Sequence, residues 1–189
     1  MTGPGEAGTR VLTGDELSSV VDRLGRAISR DHPDGLVLVG ILKGSVCLVA
    51  DLARRLEVPC AVDFLCLTPY GAGGQRVRLS KDLDEDVSGR AVVLAVDIVD
   101  RGLTVTYVHR LLTERGARSV DVCTLLDRRA KRLLPVELRY VGKIIGDEYV
   151  VGYGLDLDER FRNLPDLRVI EPREMRHASP ASVQGLFER

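Results

Sequence analysis

Two carboxylates three residues apart, Asp97 and Asp100, are followed at once by Arg101, Gly102, Leu103 and Thr104 in the stretch AVVLAVDIVDRGLTVT. The apolar residues from Ala91 to Val96 run without alternation, as in a strand buried on both faces of a mainly parallel sheet. Val105, Val108, Leu111 and Leu112 then recur at helical spacing. A helix that begins directly after such a strand presents unpaired N–H groups and the positive end of its dipole, which suits a phosphate. Gly102 lets the backbone approach closely, and Thr104 adds a hydroxyl donor. Carboxylates beside a phosphate repel it, so Asp97 and Asp100 point to a ligand that also carries hydroxyls, a bound Mg²⁺ or a departing proton.

A second anion loop is written in Gly40-Ile41-Leu42-Lys43-Gly44-Ser45, where backbone amides and the Lys43 ammonium precede another helix. Taken alone, Lys-Gly-Ser reads equally well as a solvated turn. Further on, Tyr149 could stack on a flat ring and Val150 could offer backbone groups to its edge, while Asp156 could hold a metal and Arg162 could neutralise an anion. By composition these are also an aromatic strand and a charged turn. The basic run Arg128-Arg129-Ala130-Lys131-Arg132 reads as a solvated end of a strand, and Pro69-Tyr70-Gly71-Ala72-Gly73-Gly74-Gln75 as a hairpin tip.

The elements that must position these groups follow from pattern. Thr13 with Glu16 predicts a capping box opening a helix over 14–30, whose Leu17, Val20, Val21, Leu24, Ala27 and Ile28 share one face. Strands are expected over 36–39, 60–68, 76–79, 91–97, 119–126 (with Val120, Val122, Thr124 and Leu126 alternately buried) and 168–170. Helices are expected over 46–56 and from 104 to Arg115, the latter stopped by Gly116. From Glu171 the pattern no longer faces a core, so residues 173–189 read as a loose tail. The helix after Gly44 is apolar at Val46, Leu48, Val49 and Leu52, which fits either a subunit contact or the core.

With 189 residues, 27 basic against 28 acidic side chains and a net charge of −1, the chain fits one domain with no nucleic-acid or membrane surface. No apolar run is long enough to span a bilayer and no leader pattern is present, which leads us to expect a cytoplasmic protein. The four cysteines lack Cys-x-x-Cys spacing and the three histidines are scattered, so reduced, buried thiols are expected and a zinc site is not.

The stretch 96–104 resembles the phosphoribosyl pyrophosphate (PRPP) motif of the type I phosphoribosyltransferases: two adjacent acids, two hydrophobics, Asp-Thr-Gly, and Thr one residue further on. Val96 stands at the first acid and Arg101 at the Thr. Leu42-Lys43-Gly44-Ser45 resembles the pyrophosphate loop of hypoxanthine-guanine phosphoribosyltransferases, which admits a non-proline cis peptide at the bond matching Leu42–Lys43. EYVVGYGLD and ERFRNLP resemble the hood segment of the bacterial members.

Over about Val11 to Pro172 the resemblance implies an α/β fold of the type I phosphoribosyltransferase class, a central mainly parallel sheet flanked by helices with a small hood, in one domain over 1–172. It implies PRPP bound with its 5′-phosphate on Asp100, Arg101, Gly102, Leu103 and Thr104, and its pyrophosphate on Lys43, Gly44, Arg162 and Mg²⁺. Asp97 takes a ribose hydroxyl and, with Asp156, the metal. Tyr149, Val150, Arg128 (at the place of a lysine that reaches a 6-oxo group) and Tyr70 in a mobile lid face the purine base, and Asp100 is the general base for its N7 proton. The reaction implied is purine salvage, giving a nucleoside monophosphate and pyrophosphate, in a homodimer or homotetramer. Two alternatives stay open: a different acceptor, to which Arg128 and Pro69 point, and a non-catalytic PRPP- or nucleotide-binding regulator, to which Val96 and Arg101 point.

Overall fold

Parallel strands between covered faces account for most of the architecture, seen in a computed structural model that describes residues 8–70, 76–179 and 183–187. The main sheet has six strands, β2 (Leu36–Leu42), β3 (Cys60–Tyr70), β4 (Arg76–Lys81), β5 (Ala91–Val99), β6 (Ser119–Asp127) and β7 (Tyr140–Ile144). Their spatial order is β4-β3-β2-β5-β6-β7, with every neighbouring pair parallel except β3 with β4. Strand period sorts β5 cleanly between two cores. Ala91, Val93 and Ala95 pack with helices α1 (Gly14–Asp31) and α2 (Val46–Arg55), whereas Val92, Leu94 and Val96 pack with α3 (Leu103–Glu114).

The expected capping box is formed: the Thr13 hydroxyl accepts from the Glu16 amide while the Glu16 carboxylate accepts from the Thr13 amide at 2.8 Å. Gly116 ends α3 with φ +80°. Leu48, Val49 and Leu52 of α2 are fully buried in the first core, which settles that helix's apolar face as core, with Val46 left exposed.

Several expectations are corrected. Burial along β6 does not alternate: Val122 through Asp127 are all buried and Val120 is not, because β6 lies inside the sheet between β5 and β7. The strands expected to end at Val39, Thr68 and Asp97 run on to Leu42, Tyr70 and Val99, since pairing continues past the apolar runs, as in Leu42 with Cys66 and Val99 with Asp127. Only Cys123 of the four free cysteines is buried; the others are half-buried.

A second sheet of three antiparallel strands forms the hood, in the order β1 (Arg10–Leu12), β9 (Leu167–Ile170), β8 (Tyr149–Val151). The tail expected to be loose from residue 173 carries a short helix, α4 (Pro172–Arg176), joined to the hood by Arg176 to Asp158 at 2.8 Å. Further along, Leu186 is buried with Val151, Leu157, Phe161 and Leu164. Among the described residues no helix is long and apolar enough to cross a membrane.

Candidate active site

The carboxyl ends of β2, β5 and β6 meet the hood, and Lys43, Asp97, Asp100, Arg128, Asp156 and Arg162 gather there. A cavity of about 400 Å³ opens at the end of β5, lined by Ile41, Val96, Asp97, Asp100, Arg101, Gly102 and Thr104 among others. Gly102 adopts φ +86°, and a Cβ there would lie 2.9 Å from the Leu134 carbonyl oxygen, so only glycine turns the chain into α3 at this point. The α3 N-terminus receives no side-chain cap from its N-cap residue, Gly102. Its first-turn amides therefore face the cavity as donors for an anion.

Asp97 follows the parity of Ala95 and turns toward α2, while Val96 turns to the α3 side and is 5% exposed within the second core. The cavity floor beside the phosphate cradle is thus apolar. The Asp97 carboxylate accepts the Ile98 amide at 2.9 Å. Burial pushes its pKa up to about 6, against the opposing pull of the Ile98 amide and Arg162. Gly44 sits hard against it: a Cβ at Gly44 would fall 1.7 Å from the Asp97 Oδ2. The Leu42–Lys43 peptide is cis.

The hood closes over this loop. Gly154, at φ +100°, brings its backbone so near that a Cβ would lie 2.1 Å from the Gly44 carbonyl oxygen. Arg162 donates to the Gly154 carbonyl at 2.7 Å and pairs with Asp156 at 2.8 Å and Glu159 at 3.3 Å. Lys43 also reaches Glu159, at 3.0 Å. Lys43 and Arg162, on segments far apart in sequence, therefore converge on one carboxylate. Asp156 further accepts the Glu159 amide at 2.8 Å.

On the other side of Asp100 lies Arg128. It is 7% exposed, not solvated as its basic run suggests, and its guanidinium meets Asp100 Oδ1 at 2.8 Å and the carbonyls of Gly146 and Glu148 at 3.1 and 2.6 Å. Tyr149 is 40% exposed, its hydroxyl donating to the Asp156 carbonyl at 3.0 Å, and Val150 is buried. Tyr70 ends β3, but its side chain and the glycine-rich segment 71–75 lie outside the described residues.

For Mg²⁺, the donor chemistry fits. Asp97 lies against Gly44, and Gly44 against Gly154 of the hood segment that carries Asp156, and Mg²⁺ binds through one or two carboxylates with phosphate oxygens and water completing its shell.

A sequence model described as "Phosphoribosyl transferase domain" matches residues 9–160. The chain belongs to the phosphoribosyltransferase family. Among curated phosphoribosyltransferases it is 39% identical over 180 residues to the hypoxanthine-guanine phosphoribosyltransferase of Mycobacterium tuberculosis, covering 90% of this chain and 89% of that relative. It is 42% identical over 156 residues to the hypoxanthine phosphoribosyltransferase of Salmonella typhimurium, covering 79% and 88%. Among solved structures, a hypoxanthine phosphoribosyltransferase from Staphylococcus aureus superposes with a TM-score of 0.84 at 35% identity, covering 89% of this chain and 94% of that one.

Within this phosphoribosyltransferase site, sequence reasoning missed Glu159, Asp127 and Arg132. Asp127 is buried at the end of β6 and pairs with Arg129 at 2.7 Å and with Arg132. Arg132 also donates to the Asp100 carbonyl at 2.9 Å, so it props the acidic loop from behind. The available signal was the position of Asp127 at the carboxyl end of a buried parallel strand, followed by more cations than one surface turn needs.

Proposed function

We propose that this phosphoribosyltransferase transfers the 5-phosphoribosyl group of PRPP to a 6-oxopurine, hypoxanthine or guanine, releasing pyrophosphate and forming the nucleoside monophosphate, as an enzyme of purine salvage. The single observation that carries the reading is the meeting of the uncapped α3 N-terminus, Asp97 and Asp100 around one cavity of about 400 Å³ beside the hood strand of Tyr149 and Val150.

The 5′-phosphate rests on the amides from Arg101 to Thr104, with the exposed Arg101 side chain at its rim. Lys43, the Gly44 backbone and Arg162 take the pyrophosphate in place of Glu159. Asp97 holds a ribose hydroxyl, and with Asp156 it would hold Mg²⁺, which when bound supplies neutralising charge to the leaving pyrophosphate. Tyr149 stacks on the base and Val150 presents backbone groups to its edge. As the C1–oxygen bond to pyrophosphate breaks, the purine N9 lone pair forms the new bond to C1, and Asp100 removes the proton from N7. The protein's share is positioning, charge stabilisation and exclusion of water.

The test is pyrophosphate release from PRPP with Mg²⁺ in the presence of hypoxanthine, guanine, xanthine, adenine or no base. Release that requires a 6-oxopurine is expected. Release with adenine alone, or none from folded protein, overturns the reading. A second reading, transfer to an acceptor outside this panel, is favoured by the full engagement of Arg128; it requires that PRPP still bind when no base on the panel reacts.

A further inference from the structure

Arg128 uses all three nitrogens of its guanidinium. Nε donates to the Gly146 carbonyl at 3.1 Å, one terminal nitrogen to both Asp100 oxygens at 2.8 and 3.1 Å, and the other to the Glu148 carbonyl at 2.6 Å. These partners belong to the β5–α3 loop and to the turn between β7 and β8, while Arg128 itself is anchored at the end of β6 by its amide on the Val99 carbonyl at 3.0 Å. The turn is closed on itself, since the Glu148 carboxylate accepts the Gly146 amide at 3.2 Å. Glu148 is followed directly by Tyr149 and Val150.

A planar guanidinium binds on two edges in fixed directions, whereas a lysine ammonium is a single point charge. A lysine ammonium at this position offers its three donors from a single atom, so it cannot hold Asp100 and both turn carbonyls in the fixed directions of the fork. We infer that Arg128 is a positioning residue that sets the distance and orientation between the proton-accepting Asp100 and the base-contacting strand β8. The inference rests on the transferase reading for its meaning and deepens it. Arg128 does its work through Asp100 and through the backbone of the hood, so its removal changes how the acceptor base is held and deprotonated and leaves PRPP binding alone. Arg132 fixes the opposite side of the Asp100 residue through its carbonyl, so the Arg128 fork is the contact that fixes the carboxylate itself.

The experiment compares wild type, Arg128→Lys, Asp100→Asn and the double variant, each first shown to melt cooperatively. Amide hydrogen exchange is read by mass spectrometry, and kcat and KM are read for PRPP and for the best 6-oxopurine. In Arg128→Lys, exchange over 146–151 rises by about tenfold while 91–96 and 119–126 are unchanged. The kcat falls by about tenfold or more, the base KM rises, and the PRPP KM stays within about twofold. In the Asp100→Asn background, adding Arg128→Lys lowers kcat by less than about twofold, because the two act as one unit. Unchanged exchange over 146–151 overturns the inference, as does a fully additive loss in the double variant, which would mean that Arg128 acts on the base directly. If Arg128→Lys fails to fold, Asp100→Ala, which removes the acceptor of one arm of the fork, still decides: exchange over 146–151 must rise, and no rise is a refutation. A wild-type protein without transferase activity defeats the transferase reading, while the exchange data still judge the tether.

Discussion

Asp100 is the residue proposed to take the N7 proton, and its surroundings set what its loss should do. Its carboxylate receives Arg128 and its carbonyl receives Arg132, so an asparagine there keeps the backbone placed while losing the proton acceptor. Asp100→Asn is therefore expected to lower kcat by about 10²- to 10⁴-fold, the range for general base catalysis, with PRPP affinity by calorimetry unchanged. A loss confined to PRPP affinity would remove Asp100 from that role. Glu159 offers a second residue-scale prediction. Its carboxylate lies where Lys43 and Arg162 converge, and the pair it makes with Lys43 is exposed on both sides. Exposed pairs are weak and screened, so Glu159→Gln is expected to tighten pyrophosphate binding by no more than a few-fold, an effect that shrinks with added salt. Looser binding would show that Glu159 supports the cations instead of competing for them.

At the scale of elements, β2 and β5 were readable because burial on both faces leaves continuous apolar runs, and α1 because its cap is local, Thr13 with Glu16, whereas the short strands β1 and β7 carry no such run and were not expected. The glycine turn into α3 was readable for the same reason. Other features depend on residues far apart in sequence and left no local mark. Arg128 is buried by Asp100, Gly146 and Glu148, and Lys43 finds Glu159 across 116 positions. The burial of every residue from Val122 to Asp127 comes from neighbours that β6 itself does not encode. Asp63, near the middle of β3, is another such case. Burial alone would raise its pKa, but the amides of Glu85, Phe64 and Asp84 and the Lys81 ammonium outweigh that and hold it below the usual carboxylate range. Its folded value lies below its unfolded one, so its stabilising contribution is full above about pH 4 and is lost as pH falls through the lower folded value. Asp63→Ala is expected to cost about 1–3 kcal/mol at neutral pH by urea unfolding. The gap to wild type should narrow in acid, and a gap independent of pH would show that the carboxylate charge is not what counts.

At the scale of the molecule, the hood is built from both ends of the described chain. β1 pairs with β9, and β9 with β8. Arg10 and Arg168 both pair with Asp166, each at 2.8 Å. Leu12 carries this arrangement into the first core, where it is buried beside Leu167 and Val150. Leu12→Ala is expected to destabilise the fold by about 2–5 kcal/mol, the range for a buried Leu→Ala change, and to raise the base KM more than the PRPP KM. A variant with unaltered unfolding would mean that β1 is an ornament on the hood and not one of its supports.

The pairing of β1 with β9 also sets an order of events during synthesis. Every strand of the main sheet has left the ribosome once Ile144 has emerged, and the Gly44 loop and the turn into α3 belong to that part of the chain, whereas Asp156 and Arg162 follow it. The hood sheet must wait for Ile170, and until then Arg10 to Leu12 has no strand to join. Domains fold as units as the chain emerges. A nascent chain halted between these points holds the Gly44 loop and the turn into α3, while the strand of Tyr149 and Val150 still lacks β9, its partner in the hood sheet.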